Sequence, residues 1–137
     1  MSDGLPLTPA ETEFVERQRV GHLATVYPDG SPHVVPISPV LDLDRLVFAS
    51  EFNQKVANIQ GNPAVAIAFD HYTEVWNDLQ GVVVHGEAYL VDTGFEFRRD
   101  RDLLYAKFAQ YETDAPIEEG SSTIVEVRID RVVSWGF

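Results

Sequence analysis

Residues Phe48 to Pro63, FASEFNQKVANIQGNP, place Ser50, Asn53, Gln54 and Lys55 where a strand gives way to a short helix. Lys55 is one of only two lysines in a chain with 22 acidic residues. A helix leaves its first backbone N–H groups without partners, and its dipole is positive at that end. A lysine in the first turn therefore sits at the wrong end for a cation unless an anion meets it. Free N–H groups and a full positive charge facing one small space make a phosphate site. The competing assignment, a solvated helix lysine, leaves that placement unexplained.

Other chemistry is sparse. The chain has no cysteine, which removes disulfides, thiolate nucleophiles and cysteine metal sites. His22, His33, His71 and His85 share no metal-binding spacing, and HGE at His85 lacks the downstream cysteine pair of a zinc deaminase. No nucleophile stands beside a base, and no catalytic carboxylate pair can be picked from so many acids.

The elements that position these residues follow from turn and capping signals. In TPAETEFVERQRVG, Thr8 caps, Pro9 suits the first helical position and Glu11 completes a capping box, so a helix should run toward Gly21. GHLATVYPDGSPHVVPIS reads as two strands joined by a turn at Pro28 to Ser31. Asp42 to Arg45 form another turn, and Leu46 to Ala49 the third strand. The short helix ends at Gly61, before Asn62-Pro63. AVAIAFD is a central fourth strand, and GVVVHGEAYLVD a fifth with a bulge or bend at Gly86. Thr93 and Glu96 predict a second capping box, opening a helix with Phe97, Leu104, Phe108 and Tyr111 on one face. TIVEVRIDRVVSWGF supplies the sixth strand. Six strands with short connections predict one domain over residues 1–137, a mainly β protein with a few helices and a closed or nearly closed β-barrel.

The ordered set LATVYPDGSPHVVPI, LVFASEFNQKVANIQGNPAVAIAF and GVVVHGEAYLV resembles the pyridoxamine 5′-phosphate oxidase-like split-barrel superfamily, over Arg19 to Val91 and more loosely in the last strand. DHYTEVW and VVSWGF look most like its small deazaflavin-dependent (coenzyme F420) members. The resemblance implies a six-stranded FMN-binding split barrel, a homodimer, and flavin-type cofactors held between subunits. It implies that His33, Val35, Pro36, Ile37 and Ser38 line the ring, and that Ala49, Ser50, Asn53, Gln54 and Lys55 form the phosphate loop. Trp76 and Tyr72 are candidates to stack on the cofactor or to cover it from a partner subunit. The oxidase proper carries an arginine where His33 lies and another where Gln54 lies, so pyridoxamine phosphate is not the expected substrate. A single lysine beside Glu51 fits one phosphate better than a long polyglutamate tail, which favours FMN over coenzyme F420. The activity implied is hydride transfer to or from a small molecule, for which the flavin carries the chemistry. A flavin- or haem-binding carrier or sensor is the alternative without turnover.

Composition bounds the partners. Ten basic against 22 acidic residues give a formal charge of −12, which repels nucleic-acid backbones and anionic lipid. No apolar run approaches a membrane span, and MSDGLPLTPAETEF has no basic segment followed by an apolar one. A cytoplasmic protein without nucleic-acid or membrane partners is the expectation. Arg98, Arg99 and Arg101 are read as a solvated helix face paired with nearby acids.

Overall fold

The computed structural model describes residues 6–137, so residues 1–5, part of the stretch read for a secretory signal, lie outside the described residues. Helix α1, Pro9–Arg17, opens on the expected box: the Glu11 N–H donates to Thr8 Oγ1 at 3.2 Å, and the Thr8 N–H donates to Glu11 Oε1 at 2.8 Å. It stops at Gln18, short of Gly21, because Gly21 is already the first residue of β1, Gly21–Val26. A Cβ at Gly21 would lie 2.8 Å from the Phe69 ring, so only glycine lets that strand approach.

Strand β1 turns into β2, Pro32–Ile37, through Gly30 at φ 87°, with Asp29 accepting the Ser31 N–H at 2.9 Å. Next comes a strand that the sequence reading did not count: β3, Val40–Asp42, pairs with β4, Arg45–Ser50. The sheet therefore has seven strands rather than six. The extra one is only three residues long, and its turn runs through Leu43 at φ 57° instead of a glycine, so it carries no alternation long enough to read. Helix α2, Gln54–Gly61, leads into β5, Ala64–His71. A turn of 3₁₀ helix at Trp76–Asp78 precedes β6, Gln80–Val91. Helices α3, Gly94–Lys107, and α4, Gln110–Asp114, precede β7, Thr123–Trp135.

The strands form one antiparallel sheet in the order β2-β1-β5-β6-β7-β4-β3. Its two edges, β2 and β3, are consecutive in the chain and separated only by Ser38 and Pro39. Two residues reach at most about 10 Å from Ile37 to Val40, so the sheet must curl until its edges nearly meet. That is a split barrel, open along one seam, and Ser38 lies in the seam. Inside it Leu23, Leu46, Phe48, Ile67, Phe69, Val82, Val84, Val125 and Val127 are almost fully buried. Each such side chain contributes roughly 1.5–3 kcal/mol of transfer free energy. The interior is filled by side chains, so any large ligand must bind outside it.

Strand β5 is internal as expected, although its alanines leave one face half-exposed. The register of β6 against β7 slips between His85 and Gly86, confirming the bulge, and a Cβ on Gly86 would collide with the Arg128 carbonyl oxygen. A second cluster, Val47, Phe97, Leu104, Ile117 and Ile124, packs α3 on the outside of β4 and β7. The second capping box does not form. Thr93 makes no side-chain cap; Glu119 accepts the Gly94 N–H at 3.1 Å instead, and Glu96 turns toward Glu126. Helix α3 also ends before Phe108, so Tyr111 belongs to α4 and the expected single apolar face is broken. No helix among the described residues is long and apolar enough to cross a membrane.

Candidate functional site

The seam opens into three adjoining cavities joined by shared walls. One of about 500 Å³ is lined by Ala49, Ser50, Asn53, Lys55, Tyr111 and Ser122, among others. A second of about 320 Å³ runs over Pro36, Ile37, Ser38, Ala49, Lys55 and Tyr111. A third of about 340 Å³ lies beyond Ser38 and Tyr111, against Arg19, Val20, Phe108 and Asp114. Together they form a trough along the end of β2, from the start of α2 to α4.

The α2 end has the chemistry of an anion site. Asn53 occupies the N-cap position without a side-chain cap, because its Oδ1 faces the Ser50 hydroxyl at 3.3 Å. The first N–H groups of α2 are therefore uncapped by any side chain, and its first turn holds no acid. Lys55 is half-buried and makes no ion pair among the described residues. Burial pulls its pKa below the ordinary lysine value, and the nearby Glu51 partly offsets that. A partly desolvated ammonium beside unpaired N–H groups favours an incoming phosphate.

Among the residues singled out from sequence, the structure brings Pro36, Ile37, Ser38, Ala49, Ser50, Asn53 and Lys55 around this trough. His33, Val35, Gln54 and Trp76 line none of its three cavities. Val35 packs against the main core. Trp76 is 71% exposed, with its indole N–H 3.4 Å from the Tyr72 hydroxyl. His33 and Gln54 are joined by a polar chain through two buried residues. Gln54 Nε2 donates to Asn58 Oδ1 at 2.8 Å, Asn58 Nδ2 donates to Thr25 Oγ1 at 3.0 Å, and Thr25 Oγ1 lies 3.4 Å from His33 Nδ1. That chain ties α2 to the β1–β2 hairpin, so the anion site is held in place against the wall of the trough.

Sequence reasoning missed Tyr111, which lines all three cavities. Its hydroxyl donates to the Ser38 carbonyl at 3.3 Å, and burial raises its pKa. It was assigned to a helix face, and only the break after Lys107 turns it into the seam. Arg19 was missed as well. Its guanidinium lies 4.4 Å from the centroid of the Phe108 ring, and Nη1 donates to the Lys107 carbonyl at 3.0 Å.

A separate polar cluster lies under α3. Arg45 meets Asp42 at 2.7 Å, Asp100 at 3.1 Å and Glu126 at 2.6 Å, the last with poor hydrogen-bond geometry. Burial, then hydrogen bonds from Asp100 and Glu96, push the Glu126 carboxyl up to about 8. Carboxylate oxygens of Glu96, Asp100 and Glu126 lie within 4.8 Å of one another, a spacing a metal ion could use. With Arg45 already among them, a proton on Glu126 accounts for the cluster without a metal. The arginines of α3 behave as expected: Arg98 pairs with Glu119 at 3.2 Å, Arg99 with Asp100 at 3.5 Å and Arg101 with Asp102 at 3.9 Å.

A family model described as pyridoxamine 5′-phosphate oxidase matches residues 7–136. A 5a,11a-dehydrotetracycline/5a,11a-dehydrooxytetracycline reductase from Streptomyces rimosus is 33% identical over 104 residues, 69% of this chain and 71% of its own. An FAD-binding protein from Mesorhizobium loti superposes with a TM-score of 0.78 at 25% identity, covering 93% of this chain and 92% of that one. An F420 reductase superposes with a TM-score of 0.70 at 26% identity, covering 97% of this chain and 98% of the other.

Proposed function

This chain belongs to the pyridoxamine 5′-phosphate oxidase family, and we propose that within it the protein is a flavin-dependent oxidoreductase that binds FMN in the seam and acts on a small molecule. The observation that carries this reading is the uncapped start of α2 with Lys55, opening on the same trough as Pro36 to Ser38. The donor set fits a phosphate: backbone N–H groups, an ammonium, and the Ser50 hydroxyl. Pro36 offers no N–H of its own, so the β2 wall there presents one donor fewer beside the face of a planar ring. When bound, the flavin supplies hydride transfer. The chain's own residues hold the phosphate, present the β2 wall to the ring, and keep water from its inner edge through Ile37 and Tyr111.

The rest of the reading concerns assembly. One face of a ring in an open seam stays in water unless a second chain covers it, and we assign that role to a homodimer. The exposed apolar residues after β5, Tyr72, Val75 and Trp76, support this, as do Val133 and Trp135. A second reading, coenzyme F420-dependent reduction, is favoured by one further observation. Lys55 is not the sole cation at the trough, since Arg19 stands at its far end. The F420 reductase among the structural neighbours agrees with this second reading, and the name of the tetracycline-type reductase specifies no cofactor. The absorption spectrum of the purified protein, followed by separate titrations with FMN and coenzyme F420, decides between them. No binding of either cofactor would overturn both.

A further inference from the structure

In a chain with 22 acids and 10 bases, most cations should find a carboxylate. Arg17, Arg45, Arg98, Arg99 and Arg101 do. Arg19, Lys55, Lys107, Arg128 and Arg131 make no ion pair among the described residues. Arg128 stacks over Tyr89 at 5.3 Å, on another part of the sheet. The remaining pattern is uneven: Lys55 stands at one end of the trough, and Arg19 and Lys107 stand together at the other.

At that far end, two cations share one aromatic ring. Arg19 lies 4.4 Å and Lys107 Nζ 5.2 Å from the Phe108 centroid. Lys107 Nζ donates to the Pro39 carbonyl at 3.0 Å, and Arg19 Nη1 to the Lys107 carbonyl at 3.0 Å, so each is tethered to backbone, Lys107 half-buried and Arg19 exposed. Burial, and then the charge of Arg19, lower the Lys107 pKa to about 8. The acids nearby are Glu16, which acts weakly on Lys107, and Asp114 on the cavity wall. Two like charges fixed side by side with no carboxylate bound are destabilising until an anion joins them. The cavity beside them, about 340 Å³, is floored by the Phe108 and Tyr111 rings, 5.9 Å apart and perpendicular.

We infer that this far cavity takes a flat, conjugated organic acid, its rings on Tyr111 beside the perpendicular Phe108 and its anionic oxygen on Arg19, as the substrate-side partner of the cofactor groove. The cavity is too small for a large chain and mostly apolar, which selects a compact planar body. A guanidinium stacked on an aromatic face keeps its edge N–H groups for an oxyanion in the ring plane. Because Ser38 and Tyr111 wall both the far cavity and the groove along Pro36 to Ser38, a ligand here abuts whatever occupies that groove. The inference depends on the flavin reading only for the identity of that neighbour, and binding of the acid is measured first without cofactor.

The test is calorimetric titration with 2-naphthoate and its neutral isostere 2-naphthamide. The acid should bind about tenfold or more tightly than the amide, the ratio expected for one charge-assisted contact. Arg19→Gln should collapse that ratio toward unity, while Phe108→Leu should weaken both ligands alike. FMN at saturating concentration should leave the acid bound. Equal affinity for acid and amide in the wild-type protein, or no binding of either, overturns the inference without any variant. So does an unchanged ratio in a folded Arg19→Gln protein. Displacement by FMN would place the acid in the phosphate site instead, and Lys55→Ala would then abolish it. Displacement by coenzyme F420 but not by FMN would assign the far cations to that coenzyme's tail carboxylates and remove the substrate assignment. Failure of FMN itself to bind, with the acid still selected by Arg19, would sink the cofactor reading and leave this one standing.

Discussion

Replacing Lys55 by alanine separates the two halves of the anion site. The side chain belongs to neither apolar cluster and makes no ion pair among the described residues, so the fold should lose little. Surface substitutions of this kind fall within about 0.5 kcal/mol, a shift of roughly 2 °C in Tm for a domain this size. Phosphate binding should lose much more. A hydrogen bond to a charged group contributes about 1.5–3 kcal/mol, or roughly ten- to a hundredfold in Kd. The uncapped N–H groups of α2 remain in the variant, so residual binding should persist. Glu51 supplies an internal control. Glu51→Gln removes the acid beside the phosphate loop and should tighten FMN binding, opposite in sign to Lys55→Ala. The pH dependence follows from the same geometry. Burial lowers the Lys55 pKa in the free protein, and a bound phosphate would raise it, so binding takes up protons as pH approaches the lysine range. Wild-type affinity should then fall at alkaline pH, and Lys55→Ala should flatten that fall. Quenching of FMN fluorescence at low salt measures all three. Equal Kd values for the wild-type and Lys55→Ala proteins, both folded, would refute the assignment of the phosphate to α2.

Further outcomes are expected elsewhere. FMN should bind more tightly than coenzyme F420 at low salt, with added salt narrowing the gap as repulsion from a chain of charge −12 is screened; the reverse order in parallel titrations would move the function to the deazaflavin reading. Trp76→Glu should weaken dimer and cofactor together, because apolar surface around an exposed Trp76 is assigned to the partner; a monomer binding flavin at full affinity in sedimentation would disprove this. Glu126, raised from 4.5 to about 8 in the fold, holds a proton there that the unfolded chain has released, so stability is greatest below about pH 4.5 on its account and declines as pH rises to 8. Glu126→Gln should remove that decline, raising Tm above pH 8 relative to wild type; parallel pH–Tm curves for the two proteins would contradict a proton held on Glu126. Gly86→Ala should lower Tm by several degrees, since its Cβ meets the Arg128 backbone, which cannot swing aside.

What was legible in the sequence depended on the range of the interaction. The Thr8–Glu11 box, the Gly30 turn and the Gly86 bulge are local events, decided by residues within a few positions of one another, and each appeared where the residue types placed it. The Thr93–Glu96 box has the same local signature and failed, because Glu96, which should reach back to the Thr93 N–H, turns toward Glu126, 30 positions away, while Glu119 takes the Gly94 N–H. Strand β3 was illegible for lack of length. Buried Asp100 and Glu126 were illegible for a different reason: on a charged helix and an alternating strand, nothing marks which acids face inward until Arg45 is brought across. The approach of the α2 start to the end of β2 came from family resemblance, not from periodicity. Tyr111 and Arg19 had no local signal: Tyr111 reaches the trough only after α3 has ended at Lys107, and Arg19 sits in the link between α1 and β1 and meets Phe108 from 89 positions away.

The trough itself is a consequence of connectivity. Because β2 and β3 are neighbours in sequence but occupy opposite edges of the sheet, the link through Ser38 and Pro39 must cross the seam, and the sheet edges cannot pair there. An unpaired seam exposes backbone that would ordinarily invite another strand. Here proline at positions 32, 36 and 39 removes donors along that edge. The start of α2, the Tyr111 hydroxyl and the Lys107 ammonium cover what remains, the last two by bonding the Ser38 and Pro39 carbonyls. The groups that blunt the edge are thereby the ones that charge and shape the cavity. A strand pairing that closed the barrel would satisfy the edge more simply, yet it would erase the trough in which a planar ligand can lie outside the filled interior. The cost of an open seam is thus tied to the proposed binding, and a chain whose seam were sealed by a ladder between β2 and β3 should keep its stability and bind no flavin.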